Sequence, residues 1–145
     1  MNSICRELSL DTPEYRASLA LREAVLRLPL GLTWSAEELA KEQRATHIGC
    51  FLEGKLIGAL ALSPEDERTV RMRLVAVTRP QQGKGAGSAL VAFAEERARQ
   101  AGYRMIVARA RETAVPFYRR QGYGVETDVF MQVGMPHQVV WKQLG

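Results

Sequence analysis

An α+β fold with one βαβ unit near its centre is what the 145 residues predict, on three features of the chain. Helical spacing of apolar residues gives way to short strand-like runs at His47. A glycine-rich loop joins a strand to a long amphipathic helix in mid-chain. Beyond it, Gly102 and Gly122 stand where two helices should stop, so strands and helices stay short and alternate.

Ile4 to Leu8 alternates loosely and reads as a first strand. Asp11 or Thr12 then caps a helix with Pro13 in its first turn and Glu14 at its positive end. Leu19, Leu21, Val25, Leu26 and Leu28 keep helical spacing until Pro29 and Gly31 stop it. Ser35 followed by Glu37 and Glu38 opens a short second helix to about Arg44. Ile48 to Leu52 and Leu56 to Leu62 are strands around a Glu53-Gly54-Lys55 hairpin, and residues 63–67 form a polar turn. From Thr69 to Val77, Val70, Met72, Leu74 and Ala76 share one face, and the all-apolar end Leu74 to Val77 is expected to be buried. The helix after the loop runs to about Ala101, with an apolar stripe and a wet face that includes Glu95. Met105 to Ala108 is a strand, Thr113 to Gln121 a helix, and Tyr123 to Phe130 and Val139 to Leu144 the last strands. No repeat or linker divides the chain, so residues 1–145 read as one domain.

Hydrophobic residues at 46% and charged residues at 25% are the balance of a soluble globular protein. Charges interrupt every run short of the ~18 apolar residues a membrane span needs. Arg6, Glu7 and Asp11 argue against a secretory signal, and a cytoplasmic location with no membrane partner is expected. Two Cys and two His (Cys5, Cys50, His47, His137) fit no zinc spacing, so no metal is expected and both thiols should be free. The net charge of +4 favours an anionic ligand, yet 7% aromatics supply no stacking platform for a single strand. A nucleic-acid partner rests on charge alone.

The segment Gln82-Gly83-Lys84-Gly85-Ala86-Gly87-Ser88 is the most informative. Glycines let the backbone approach a ligand, and amides at a helix start, helped by the helix dipole, seat a phosphate. The P-loop pattern fails because Lys84 is followed by Gly85. The dinucleotide fingerprint fails at Ser88. The pattern [Gln/Arg]-x-x-Gly-x-[Gly/Ala] fits at Gln82, Gly85 and Gly87, and Ala114-x-x-Phe117-Tyr118-x-x-x-Gly122-Tyr123 fits a second family segment. With these motifs the chain resembles the GNAT acyltransferase superfamily over nearly its whole length. Leu21-Arg22, Val25-Leu26-Arg27 and Gly134-Met135-Pro136-His137 are similar to a bacterial subgroup of acetyltransferases whose substrates carry no label.

The resemblance implies a mixed, mostly antiparallel sheet with splayed central strands, flanked by helices. It implies acetyl-CoA as cosubstrate, with the backbone of Leu74, Val75, Ala76 and Val77 along the pantetheine arm. Gln82, Gly83, Lys84, Gly85, Ala86, Gly87 and Ser88 would hold the pyrophosphate. Phe117 and Tyr118 would complete the cofactor site together with Arg111, which stands where relatives often carry Asn. Tyr118 resembles the family tyrosine that returns a proton to the leaving thiolate, and a backbone N–H near Leu74 to Val77 would face the thioester oxygen. The strand before the loop lacks the carboxylate that serves many relatives as base. His137 or an ordered water is left for that task. The implied reaction is acetylation of a primary amine on a small molecule or protein, and an acetyl-CoA-binding module with little turnover is the alternative. Arg22, Arg71 and Arg73 hint at an acidic acceptor, and a homodimer is left open.

Overall fold

The computed structural model describes residues 3–145. The fold is α+β: a mostly antiparallel, open sheet with four flanking α-helices among the described residues. In chain order these are β1 (Ile4–Leu8), α1 (Pro13–Arg22), α2 (Ala36–Glu42), β2 (Thr46–Leu52), β3 (Lys55–Pro64), β4 (Thr69–Val77) and α3 (Ala86–Gln100). β5 (Met105–Arg111), α4 (Val115–Arg120), β6 (Gly124–Val125), β7 (Phe130–Gln132) and β8 (Met135–Gln143) follow. The residues group into two compact units. One holds the described residues up to Ser63 together with Met72–Glu96, and the other holds Pro64–Arg71 and Arg97–Gly145.

In the first unit the sheet order is β1-β2-β3-β4, with β1–β2 and β2–β3 antiparallel. The Thr12 hydroxyl accepts the Tyr15 N–H at 3.2 Å, and Pro13 occupies the first turn, so α1 starts where its cap dictates. The helical path continues to Pro29, but not as one α-helix. After Arg22 it widens to a π-helical turn over Glu23–Arg27 and tightens to a 3₁₀ turn over Leu28–Leu30, closed by Gly31 in the left-handed region. Ser35 and Glu38 form a reciprocal capping box at the head of α2. Glu53 and Gly54, both at positive φ, make the two-residue turn joining β2 to β3. α3 buries Leu90, Val91 and Ala94. A Cβ at Gly58 would lie 2.8 Å from the Leu90 side chain, so glycine lets the helix sit close on the sheet. Glu95, expected on the wet face, is buried.

In the second unit β8 is paired along both edges. β5 takes one edge in register from Met105↔Gln143 to Arg111↔His137, and β6 and β7 share the other. The single strand expected over Tyr123 to Phe130 is therefore two short ones, separated by residues 126–129, which are exposed and polar except for Val129. β8 begins at Met135, four residues ahead of its expected start. Val133 and Gly134, at φ 46° and 73°, are the turn, so Pro136-His137 lies within a strand instead of between strands.

Candidate active site

β4 departs from extended geometry at one residue. Leu74 has φ 52°, a left-handed backbone in a strand whose neighbours are extended, and a branched side chain there carries a strain of roughly 1–3 kcal/mol. The regular alternation of burial ends at the same point. Val70 and Met72 are buried, whereas Leu74, Val75 and Val77 are only half-buried, so of the end expected to be buried only Ala76 is. A left-handed residue inside a strand disturbs the local ladder and can re-aim backbone polar groups, as bulges next to functional sites do.

Thr78 and a 3₁₀ turn over Arg79–Gln81 lead from this end into the loop. The Gln82 side-chain amide donates to the Val77 carbonyl at 2.9 Å, which ties the loop back to the end of β4. Gly83 and Gly85 adopt φ 78° and 98°, and the space a Cβ would occupy at either is open. Lys84 between them is exposed. Gly87 differs: it lies in the first turn of α3, behind Ala86, and Ser88 follows it. The Ala89 N–H is bonded to the Gly85 carbonyl at 3.0 Å. The amides before it open the 15-residue helix and are the donors an anion would meet. An apolar groove of about 400 Å³ borders the start of the loop, lined by Leu21, Val25 and Leu56 with Thr78 and Arg79.

The remaining predicted residues lie in the second unit. Tyr118 is buried in α4, with the rings of Phe117 and Tyr123 edge-on at 5.1 and 5.4 Å. Burial pushes its phenol up to about 12, so the hydroxyl is protonated throughout the neutral range. Arg111 at the end of β5 and His137 in β8 are register partners. His137 is 3% exposed, beside the Phe130 ring, and its Nδ1–H donates to the Met135 carbonyl at 2.8 Å. That bond fixes the tautomer and leaves the lone pair on Nε2. Among the described residues no group of three or more His, Cys, Asp and Glu could hold a metal ion. No helix among them is long and apolar enough to cross a membrane.

A buried polar cluster in the first unit has no counterpart in the sequence reading. Arg22, at the end of α1, is 1% exposed instead of facing an acceptor. Its guanidinium reaches Glu42 Oε1 at 3.4 Å and His47 Nδ1 at 3.0 Å. Because arginine only donates, Nδ1 accepts, and the Nε2–H donates to the Glu42 carbonyl at 2.6 Å. The imidazole is thus neutral, and burial lowers its pKa further in that direction. The second oxygen of Glu42 pairs with Arg73, whose guanidinium also donates to Ser63 Oγ at 3.2 Å. Desolvation brings Arg22 down to about 10, still protonated at neutral pH. Arg71 is 3.9 Å from Glu65 in the second unit. The cluster draws on α1, α2, β2, β3 and β4, and no local spacing could have revealed it.

The model of the acetyltransferase (GNAT) family matches residues 3–123. A UPF0039 protein of Schizosaccharomyces pombe is 33% identical over 86 residues, covering 58% of this chain and 57% of the yeast protein's length. Among solved structures, a Lactobacillus plantarum protein assigned as an N-acetyltransferase superposes with a TM-score of 0.82 at 27% identity, over 99% of this chain and 97% of its own. An Elizabethkingia anophelis GNAT family acetyltransferase, solved with acetyl-CoA bound, gives 0.75 at 16% identity, over 98% of each chain.

Proposed function

As the chain belongs to the acetyltransferase (GNAT) family, we propose that it transfers the acetyl group of acetyl-CoA to a primary amine. The observation that carries this reading is the left-handed backbone at Leu74, followed across a short connection by Gly83 and Gly85 at the head of α3. A strand spends conformational strain in this way where its main chain must meet something other than a neighbouring strand. An open glycine turn before a long helix suits a pyrophosphate. The residues present therefore fit acetyl-CoA, which when bound supplies the thioester.

On this reading the backbone from Leu74 to Val77 accompanies the pantetheine arm, and an N–H there faces the thioester oxygen. Fixed donors at such a position stabilise the charge that develops during acyl transfer without having to reorganise. Gly83, Gly85, Ala86, Gly87 and Ser88 hold the pyrophosphate through main-chain amides, with Lys84 adding charge and Gln82 bracing the turn. Tyr118 keeps its proton at neutral pH and gives it to the departing thiolate, with Phe117 packed against it and Arg111 assisting cofactor binding. His137, its Nε2 lone pair fixed by the Met135 bond, or an ordered water takes the proton from the attacking amine. The acceptor is a small molecule or a protein amine.

The test is a calorimetric or thermal titration with acetyl-CoA, followed by thiol release in the presence of a panel of amines. Stabilisation by acetyl-CoA together with amine-dependent thiol release supports the transferase. Stabilisation with no amine-dependent release supports a binding module, and no stabilisation removes the cofactor altogether.

A further inference from the structure

We propose that Arg73 is the anion-binding element of the acceptor site, so that the amine acceptor carries a carboxylate or phosphate group. The inference rests on the transferase reading above and names the chemistry of its second substrate. Its basis is a charge imbalance in the buried cluster. Glu42 faces two guanidiniums, Arg22 and Arg73, and His47 is neutral because it accepts from Arg22 and donates to a carbonyl. One positive charge is left uncompensated within the cluster. The side chains of Arg22 and Glu42 are 0% and 1% exposed, while that of Arg73 is 22% exposed, so only Arg73 presents the surplus to the outside.

The guanidinium is also incompletely used. One N–H reaches Glu42 and one reaches Ser63. The Nε–H and the second hydrogen on each terminal nitrogen have no protein partner among the described residues. A planar fork held by a buried carboxylate and a hydroxyl, with donors to spare, binds a flat or tetrahedral oxyanion better than a flexible ammonium would. Its position fits the role. Arg73 directly precedes Leu74, the left-handed residue from which the thioester contact is expected, so both lie on the same stretch of β4. Arg22 is consumed inside the cluster and Arg71 lies with Glu65, so neither competes for the assignment.

The experiment compares matched amines with and without an anionic group: β-alanine against its amide, and phosphoethanolamine against ethanolamine. Binding to the CoA-saturated protein is measured by calorimetry, and turnover by thiol release. The anionic member should be favoured by ~10–100-fold, the range expected of a charge-assisted hydrogen bond, with the difference appearing in KM. Arg73→Gln should reduce that ratio to near unity and Arg73→Lys should keep part of it. In both variants Glu42 retains Arg22 as partner, and acetyl-CoA-dependent thermal stabilisation is the control for the fold. Preference for only one anionic amine identifies the oxyanion. Equal binding of anionic and neutral amines by the wild type overturns the proposal, as does an undiminished preference in Arg73→Gln. Wild-type protein that acetyl-CoA fails to stabilise would instead refute the transferase reading, and the acceptor assignment with it.

Discussion

Replacing Tyr118 by Phe removes one oxygen and tests the chemistry assigned to α4. The phenol is buried, its ring is held edge-on by Phe117 and Tyr123, and burial alone accounts for its raised pKa of about 12. Phe preserves both ring contacts. Urea unfolding at pH 7 should therefore differ from wild type by no more than about 0.5–1 kcal/mol. At high pH the two proteins should part. The unfolded phenol loses its proton near the ordinary value of 10.0, while the folded one keeps it until about 12. The stability linked to this proton is complete below pH 10 and is lost as pH rises toward 12. Over that interval wild type should lose roughly 2–3 kcal/mol more than Tyr118→Phe. Turnover should show the opposite pattern: at saturating acetyl-CoA the variant should be slower by ~10²–10⁴-fold, as expected when a general acid is removed. Thiol release at pH 7 and urea titrations at pH 7 and 11 measure both. Full turnover in the variant would refute Tyr118 as the proton donor, and an equal loss of stability between pH 7 and pH 11 in the two proteins would refute the burial on which the reasoning depends.

Gly85→Val places a branched side chain at φ 98°, a strain on the order of 1 kcal/mol or more, and should fold yet lose stabilisation by acetyl-CoA in a thermal shift assay. Gly87→Val, in the first turn of α3, should likewise fold and lose that stabilisation. Glu42→Gln leaves Arg22 buried without a counter-charge and should cost about 3–5 kcal/mol in chemical denaturation, whereas Glu37→Gln on the exposed side of the same helix should cost under ~1 kcal/mol. If the Nε2 lone pair of His137 takes the amine proton, His137→Ala should remove the rising limb of the pH–rate profile and leave acetyl-CoA binding intact. An unchanged profile in His137→Asn would reassign the residue to holding the β7–β8 hairpin.

Much of the first unit could be read from local chemistry. Thr12 and Pro13, Ser35 and Glu38, and Glu53-Gly54 each specify their own backbone through contacts a few residues long, and the observed boundaries follow them. The glycine loop was equally legible, because positive φ leaves a mark in residue choice. Leu74 was not, since a left-handed leucine is imposed by its surroundings and has no compositional signature. The π-helical turn after Arg22 was hidden because apolar residues keep nearly the same spacing whether the chain closes i→i+4 or i→i+5 hydrogen bonds. Pro136-His137 was misplaced for a related reason. The last strand was expected to start only at Val139, beyond the proline, but Val133-Gly134 supplies the turn, and Pro136 takes a strand position where β8 faces β7. Arg22 and Glu42 resisted prediction most, because their burial depends on one another and on His47 and Arg73, and Arg22 and Arg73 stand 20 and 31 residues from Glu42.

The contrast between Arg73 and Leu74 separates two kinds of inheritance on one strand. What Leu74 offers is a main-chain direction, shared by any side chain that the left-handed conformation tolerates. What Arg73 offers resides wholly in its guanidinium and in the partners behind it. Sequence drift can therefore rewrite the charge shown at 73 while the amide beside it keeps its aim. If the assignments above hold, descendants of this chain could change which amine they accept one side chain at a time while continuing to use the same acyl donor. The reverse course, a new donor with an old acceptor, would require the strand itself to be rebuilt.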